Sequence, residues 1–183
     1  TLTTTTRESV AFWDRKTGEE KPTWIMGEGI TKQVRYLPGG NHLVTVGGSD
    51  FVHRWSLNPY LDGQFLEGHS AEVNSVRFSP DGTLLASSAG HWKEGGDGRV
   101  LLWASENNSL VSTKSPTRLL EDGIGWTNSV AFHPHRREIS SGDQTGHLLT
   151  WDSETGELLR RVAVPEYSNG LRCLAYHPDG TRL

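Results

Sequence analysis

The sequence predicts an all-β protein assembled from about four copies of one small antiparallel sheet. One observation is a recurring motif, whose second apolar residue falls 42, 54 and 44 residues apart in successive copies, at Val34, Val76, Val130 and Leu174. Another is a tryptophan that ends each copy, with spacings of 42, 48 and 48 residues, at Trp13, Trp55, Trp103 and Trp151. A period of about 40 to 45 residues with insertions is longer than that of common helical repeats and favours sheets.

Within each copy, short apolar segments predict strands, and the residues between them predict turns. The third copy contains VNSVRF at 73–78, TLLASS at 83–88 and GRVLLW at 98–103. The turn sequence Pro-Asp-Gly at 80–82 combines a proline that fixes φ, an aspartate that bonds its own backbone and a glycine that takes positive φ. We expect five apolar side chains of this copy to be buried in its sheet: Val76, Phe78, Leu85, Val100 and Leu102.

The phase of the motif divides the chain into successive units. They are the end of unit one at 1–29, unit two at 30–67, unit three at 68–121, unit four at 122–165 and the start of a further unit at 166–183. Counted against the complete units, Thr1 and Leu183 both fall at the start of a second strand. The chain is therefore expected to begin and end inside a unit.

These motifs resemble the WD-repeat β-propeller family, whose repeat runs from Gly-His through a strand and a Pro-Asp-Gly turn to a terminal Trp-Asp. The resemblance covers nearly the whole chain, and Trp-Asp itself stands at 13–14 and 151–152. The matching residues of unit three are Gly68-His69, Ser79-Pro80-Asp81-Gly82, Ser87, Asp97-Gly98 and Trp103. The resemblance implies that each unit is a blade of four antiparallel strands, and that the blades form a partial ring or half of a larger ring.

The resemblance also implies a structural hydrogen-bond network in blade three, formed by His69, Ser87, Asp97 and Trp103. A buried imidazole, carboxylate and indole N–H are costly unless each finds a partner, which gives this group a physical reason. Blades two and four lack the histidine and aspartate and keep the other two members, which are Thr45 and Trp55, and Ser141 and Trp151. We expect their networks to be incomplete and these blades to open more readily.

Composition and charge exclude several classes of function. The formal net charge is -4, from 18 Lys and Arg against 22 Asp and Glu, so no basic field favours nucleic acid. No apolar run is long enough to span a membrane. Cys173 stands alone, which fits a reducing compartment and favours a cytoplasmic location.

The candidate catalytic and metal-binding residues are better explained by structure. Ser87, His69 and Asp97 include the residue types of a nucleophile, a base and an acid, but the family places this serine in the interior. The 8 histidines show no paired ligand spacing, and the glycine-rich stretches at 95–99 and 142–147 lack the Lys-Ser/Thr ending of a phosphate loop. We therefore predict no catalytic residue, no metal site and no cofactor.

A candidate partner-binding patch includes an insertion in blade three. The step from the second-strand serine to the turn aspartate takes 10 residues there, against 4 in blades two and four, and the excess includes Trp92, Lys93 and Glu94. In the family this loop shares a face with the start of the next inner strand, where Trp126 stands. Aromatic and charged side chains dominate binding hot spots, so these four residues predict a surface for a protein or peptide. The alternative is that Trp92 folds back and covers its own loop.

The sequence favours a non-catalytic scaffold for protein–protein interaction. The alternative is a docking or sensor part of a larger multidomain enzyme, which flanking sequence would distinguish. A ligand site at the centre of the ring would need convergent chemistry at the inner-strand starts, which Ile30, Glu72, Trp126 and Gly170 lack. Because four blades leave strand edges exposed, we expect either an edge-to-edge homodimer, such as an eight-bladed ring, or the remaining blades of a longer chain.

Overall fold

The computed structural model of the chain describes residues 2–5, 9–25, 30–37, 39–57, 64–91, 97–106, 109–110, 115–121, 125–164 and 170–183. These ranges contain sixteen β-strands and no helix, which confirms the all-β fold class. A helix that could cross a membrane is accordingly absent from the described residues. The strands are β1 (Leu2–Thr5), β2 (Ser9–Trp13), β3 (Glu20–Ile25), β4 (Gln33–Tyr36), β5 (His42–Val46), β6 (Val52–Ser56), β7 (Gln64–Leu66), β8 (Val73–Phe78), β9 (Leu84–Ala89), β10 (Val100–Glu106), β11 (Ser109–Leu110), β12 (Arg118–Leu120), β13 (Thr127–Phe132), β14 (Glu138–Asp143), β15 (His147–Asp152) and β16 (Leu158–Ala163).

The strands form four antiparallel sheets that follow one another along the chain. The first sheet contains β1 to β3, the second β4 to β7 and the fourth β13 to β16, with sequential neighbours paired in each. In the third sheet β8, β9, β10 and β12 follow the same order, while β11 pairs with the far end of β10. The repeat predicted these sheets as blades one to four. The first strand of each complete blade, β4, β8 or β13, is its inner strand.

The Pro-Asp-Gly turn of blade three forms as its sequence predicts. Gly82 adopts a φ of 73° and its amide donates to the Ser79 carbonyl at 2.9 Å. The Asp81 carboxylate accepts hydrogen bonds from the Ser79 hydroxyl at 2.6 Å and from the Thr83 amide at 3.0 Å. This turn joins β8 to β9 and fixes the register in which Phe78 lies opposite Leu85.

The hydrophobic core lies between neighbouring blades. On one face of blade three, Val76 and Leu85 pack with residues of blade two, and on the other face Val100 and Leu102 pack with residues of blade four. All four side chains are at most 1% exposed, whereas Phe78, which we expected to be buried with them, is only partly buried. A third cluster joins blades one and two. Each blade therefore depends on its neighbours to cover its apolar faces.

Hydrogen bonds between successive inner strands repeat the same geometry. The Gln33 side chain of blade two accepts a hydrogen bond from the Val76 amide of blade three at 3.2 Å. The Ser129 hydroxyl of blade four accepts one from the Leu174 amide at 3.0 Å. Leu174 therefore stands to blade four as Val76 stands to blade two, although no strand is assigned within 170–183. Coverage of the two outermost sheets by a second copy or by further blades stays a prediction.

Candidate functional site

The structure brings the four predicted network residues of blade three together. The His69 Nδ1 atom lies 3.0 Å from the Asp97 carboxylate, and its Nε2 atom lies 2.8 Å from the Ser87 hydroxyl. The Trp103 indole N–H donates to the same hydroxyl at 2.9 Å. An ionised carboxylate can only accept, so Nδ1 carries a proton and Nε2 of a neutral imidazole accepts from Ser87. The chain of donors and acceptors joins the loop before β8 to β9 and β10.

Arg99, which the sequence analysis did not include, completes this network. Its guanidinium forms an ion pair with Asp97 and donates to the Gly68 carbonyl at 3.1 Å. Burial would raise the pKa of Asp97, but hydrogen bonds from His69, Arg99 and the Ser70 amide outweigh it and hold that pKa well below its ordinary value. The same ion pair raises the pKa of Arg99. The only sign of this role in the sequence was the position of Arg99, two residues after Asp97.

The network cannot act as a catalytic triad in this arrangement. The Ser87 side chain is fully buried, and the His69 and Asp97 side chains have no exposed surface. The Ser87 hydroxyl already contacts both His69 and Trp103. A nucleophile must reach a substrate atom at about 3 Å, which these contacts prevent. The group holds the blade together.

Blades two and four have partial versions of this network. The Trp55 indole donates to Thr45 at 2.9 Å, and the Trp151 indole donates to Ser141 at a longer 3.4 Å. Blade four also contains Asp143, which is 1% exposed and accepts from the amides of residues 145 and 147 at 2.8 Å. Sequence reasoning missed Asp143 because it stands two residues before the position that the motif assigns to aspartate.

The different completeness of the networks predicts different rates of local opening. We expect the Trp103 indole N–H to exchange with solvent about tenfold more slowly than those of Trp55 and Trp151, because it opens only when the His69 and Asp97 bonds also break. Hydrogen exchange of the indole signals, followed by NMR, measures this directly. Equal rates at all three indoles would show instead that the blades open as one unit.

The described part of the predicted partner patch is Trp126. It lies on the strand-start face, which is the side of the blades where the inner strands begin. There it borders a cavity of about 440 Å³ together with Asn74, Asn128, Gln144 and Arg172. The other three residues of the predicted patch, Trp92, Lys93 and Glu94, lie outside the described residues.

Bulges in the inner strands place polar side chains beside Trp126. The pairing of β8 skips Asn74, and the pairing of β13 skips Asn128, so each asparagine is the extra residue of a bulge. The Asn74 amide donates to the Gly90 carbonyl at 2.7 Å, and its oxygen accepts from Lys32 at 2.7 Å. The sequence reasoning considered the residues two positions before these asparagines in each repeat. It therefore missed the polar side chains that lie beside Trp126.

A close approach of blades three and four fixes the position of Trp126. Gly90 directly follows β9, the second strand of blade three, and is buried with a φ of 142°. A β-carbon at Gly90 would overlap the Trp126 Cβ atom and lie 2.6 Å from its Cα atom. Gly90 directly precedes the 91–96 segment that contains the rest of the predicted patch. The residue that precedes the insertion therefore lies against Trp126, while the shared face of Trp92 and Trp126 stays a prediction.

The same junction recurs between other blades, with glycine on one side each time. One partner lies three residues after the serine or threonine of a blade's second strand. The other partner belongs to the next blade and lies four residues before the second apolar residue of its repeat motif. A β-carbon at Gly170 would lie 2.6 Å from the Gln144 Cα atom, and the Gly48 amide donates to the Glu72 carboxylate at 2.7 Å. The three pairs are Gly48 with Glu72, Gly90 with Trp126, and Gly170 with Gln144.

The described residues contain no group of three or more His, Cys, Asp or Glu side chains that could hold a metal ion. The cavity beside Trp126 is lined instead by amides, an indole and a guanidinium. Groups of this kind donate and accept hydrogen bonds and stack, which suits the recognition of a peptide.

Comparison with known proteins supports the resemblance. The family model described as WD domain, G-beta repeat matches residues 62–104, which include most of blade three. Eukaryotic translation initiation factor 3 subunit I of Aspergillus fumigatus is 30% identical over 118 residues, covering 64% of this chain and 30% of that protein. Small ribosomal subunit protein RACK1y of Oryza sativa subsp. japonica is 33% identical over 178 residues, covering 93% of this chain and 47% of that protein.

A third relative, meiotic recombination protein rec14 of Schizosaccharomyces pombe, is 28% identical over 148 residues, covering 78% of this chain and 43% of that protein. The chain thus spans less than half the length of each of these three relatives. With the matching family model and the in-phase blades, these findings show that the chain belongs to the WD-repeat proteins.

Proposed function

We propose that this chain is a non-catalytic scaffold that binds a protein or peptide partner on its strand-start face. The observation that carries the proposal is the cavity beside Trp126, where an indole, three side-chain amides and the Arg172 guanidinium lie together. Blade three supports this surface from beneath, because its His69 network and the Gly90 junction hold the strands that present it.

The chemistry of this cavity suits a polypeptide. Asn128 and Gln144 each carry both a donor and an acceptor, as a peptide group requires of a partner, while Asn74 is already bonded to Gly90 and Lys32. Trp126 offers a large rigid surface with little loss of conformational entropy, and tryptophan and arginine are enriched at hot spots. Trp92, Lys93 and Glu94, which follow Gly90 closely in the sequence, are included in the proposed surface as its untested part.

The relatives support a role within an assembly. The names of two of them designate a subunit of a translation initiation factor and a protein of the small ribosomal subunit. A component of such an assembly contacts other macromolecules, and the proposal applies the same general role to this chain.

We expect the double substitution Trp92→Ala and Trp126→Ala to weaken partner binding by roughly 30-fold, or about 2 kcal/mol, with a small change in melting temperature. Proteins that copurify with the tagged wild-type chain are identified by quantitative mass spectrometry, and the affinity of the strongest is then measured with purified components. The control is Leu159→Ala, an exposed apolar residue 49% accessible on the outer strand of blade four.

The two single variants distinguish binding from structural support. A lower melting temperature with unchanged affinity would mean that Trp92 and Trp126 cover their own loops, and it would reject the proposed surface. Lost affinity at unchanged melting temperature, with the Leu159→Ala control still binding, would support it.

A further inference from the structure

A second cavity lies on the opposite side of the blades, at the turns that join the first and second strands of blades three and four. It occupies about 500 Å³ between blades three and four and is called the turn-face groove. Its apolar lining includes Leu84, Leu102, Phe132 and Pro134, and charged side chains surround these residues. Neither the blade-three network nor the Trp126 cavity contributes a residue to it. A ligand in this groove would contact both blades at once.

Arg118 provides an unusual group in the turn-face groove. It begins β12, where its backbone lies opposite Leu102, and its aliphatic stem passes against the turn of blade four at Gly156. A β-carbon at Gly156 would lie 2.9 Å from the Arg118 Cδ atom, so this glycine leaves room for the stem. The Arg118 Nη1 atom is buried and makes no hydrogen bond with the described residues. A guanidinium always carries its charge, so a buried N–H without an acceptor is costly.

The other charged groups around the groove already have partners. Arg137 forms an ion pair with Glu154, and Arg136 forms one with Glu138 at 3.2 Å. The Asp81 carboxylate accepts hydrogen bonds within its own turn. Among the three arginines that line the groove in the described part of the chain, Arg118 is therefore the one that forms no ion pair. The groove thus combines the unpaired Arg118 guanidinium with an apolar surface and with the Asp81 carboxylate, which its own turn already satisfies.

We propose that the turn-face groove binds an acidic peptide segment of a partner protein. A glutamate or aspartate carboxylate pairs with the Arg118 guanidinium, and a neighbouring leucine or similar side chain packs on Leu84, Phe132 and Pro134. Carboxylates pair with guanidinium groups through two parallel hydrogen bonds, which would supply the acceptor that Nη1 lacks. This surface is separate from the strand-start face and does not depend on it.

The test uses the whole chain, labelled with ¹⁵N, and a capped pentapeptide of alternating leucine and glutamate as the probe. Matched peptides carry glutamine or lysine in place of glutamate. In a low-salt NMR titration, we expect the glutamate peptide to shift the Arg118 Nε–H signal and the backbone amide signals of residues 79, 81–84, 133 and 135–137. We expect the affinity of the glutamine and lysine peptides to be lower by about tenfold or more, because they lack the charge-assisted bonds.

Variants of the protein separate charge recognition from structural support. Arg118→Gln is expected to weaken the glutamate peptide about tenfold, whereas Arg160→Gln, which removes the same charge from the exposed outer strand of blade four, leaves binding unchanged. Because Nη1 lacks a partner, Arg118→Gln should leave the melting temperature unchanged or raise it.

Three outcomes would overturn the proposal. One is equal binding of the glutamate and glutamine peptides, and another is a shift map that lies outside the groove. The third is a clear fall in melting temperature for Arg118→Gln, which would assign the guanidinium a structural partner. The variant Trp126→Ala separates the two surfaces, since it should leave peptide binding in the groove unchanged even if the strand-start face binds nothing.

Discussion

Gly90→Ala is expected to destabilise the chain by about 4 kcal/mol or more, which is a large part of the free energy of unfolding of an ordinary domain. Two costs combine at this position. A side chain is strained at a φ of 142°, and the new β-carbon would overlap Trp126 and lie 2.6 Å from its Cα atom. Because backbone atoms are involved, blade four must move away from blade three to make room. Urea denaturation of the purified variant measures the loss.

Two further variants isolate the contact at this junction. Gly18→Ala introduces a β-carbon at a φ of 73° with nothing within 4 Å, so it should cost only about 1 kcal/mol of backbone strain. Adding Trp126→Gly to Gly90→Ala removes the overlap with Cβ and should restore part of the stability. If Gly90→Ala were as mild as Gly18→Ala, the close approach of the two blades would be wrong.

Asp97→Asn is expected to reduce the free energy of unfolding by about 3 kcal/mol at neutral pH. The substitution keeps the shape of the side chain but removes the charge that pairs with Arg99 and accepts from His69 and the Ser70 amide. An asparagine has one acceptor oxygen for three donors, so buried donors lose their partners. The control is Asp50→Asn, which changes an exposed aspartate in a turn of blade two.

The Asp97→Asn variant also tests how the free energy of unfolding depends on pH in acid. Since the pKa of Asp97 lies below its ordinary value of 3.8 in the folded state, the ionised carboxylate stabilises the fold above that value. This contribution is lost as the pH falls below about 4 and the unfolded chain takes up a proton more readily than the folded one. The stability difference between wild type and Asp97→Asn should therefore shrink steadily in acid. A difference that is independent of pH down to pH 2 would contradict the assigned role of the carboxylate.

The repeating part of the fold was predictable from single residues, because their chemistry is local. The spacing of the tryptophans and of the second apolar residues predicted four sheets, and the Pro-Asp-Gly turn needed only three neighbouring residues. His69, Ser87, Asp97 and Trp103 were found by their position in the repeat, and the structure brings them within hydrogen-bond distance.

Contacts between repeats were much harder to predict. Alternation showed that Val76 and Val100 are apolar positions of one sheet, but not that they face different neighbouring blades. The partnership of Gly90 and Trp126 joins residues of different blades, and neither residue is unusual in its own segment. The Arg118 stem packs against the turn of blade four at Gly156, and its buried Nη1 atom has no signature in the surrounding sequence.

The glycine pairings at the blade junctions mean that these repeats are not interchangeable modules. Gly90 of blade three meets a tryptophan of the next blade, whereas Gln144 of blade four meets a glycine, Gly170. If blade four were duplicated in tandem, Trp126 of the second copy would meet Gln144 of the first, where even a β-carbon lies 2.6 Å from the glutamine backbone. The residues at each junction therefore fit only the blade that follows in this chain. Moving or duplicating a blade requires a matching substitution in the neighbouring blade.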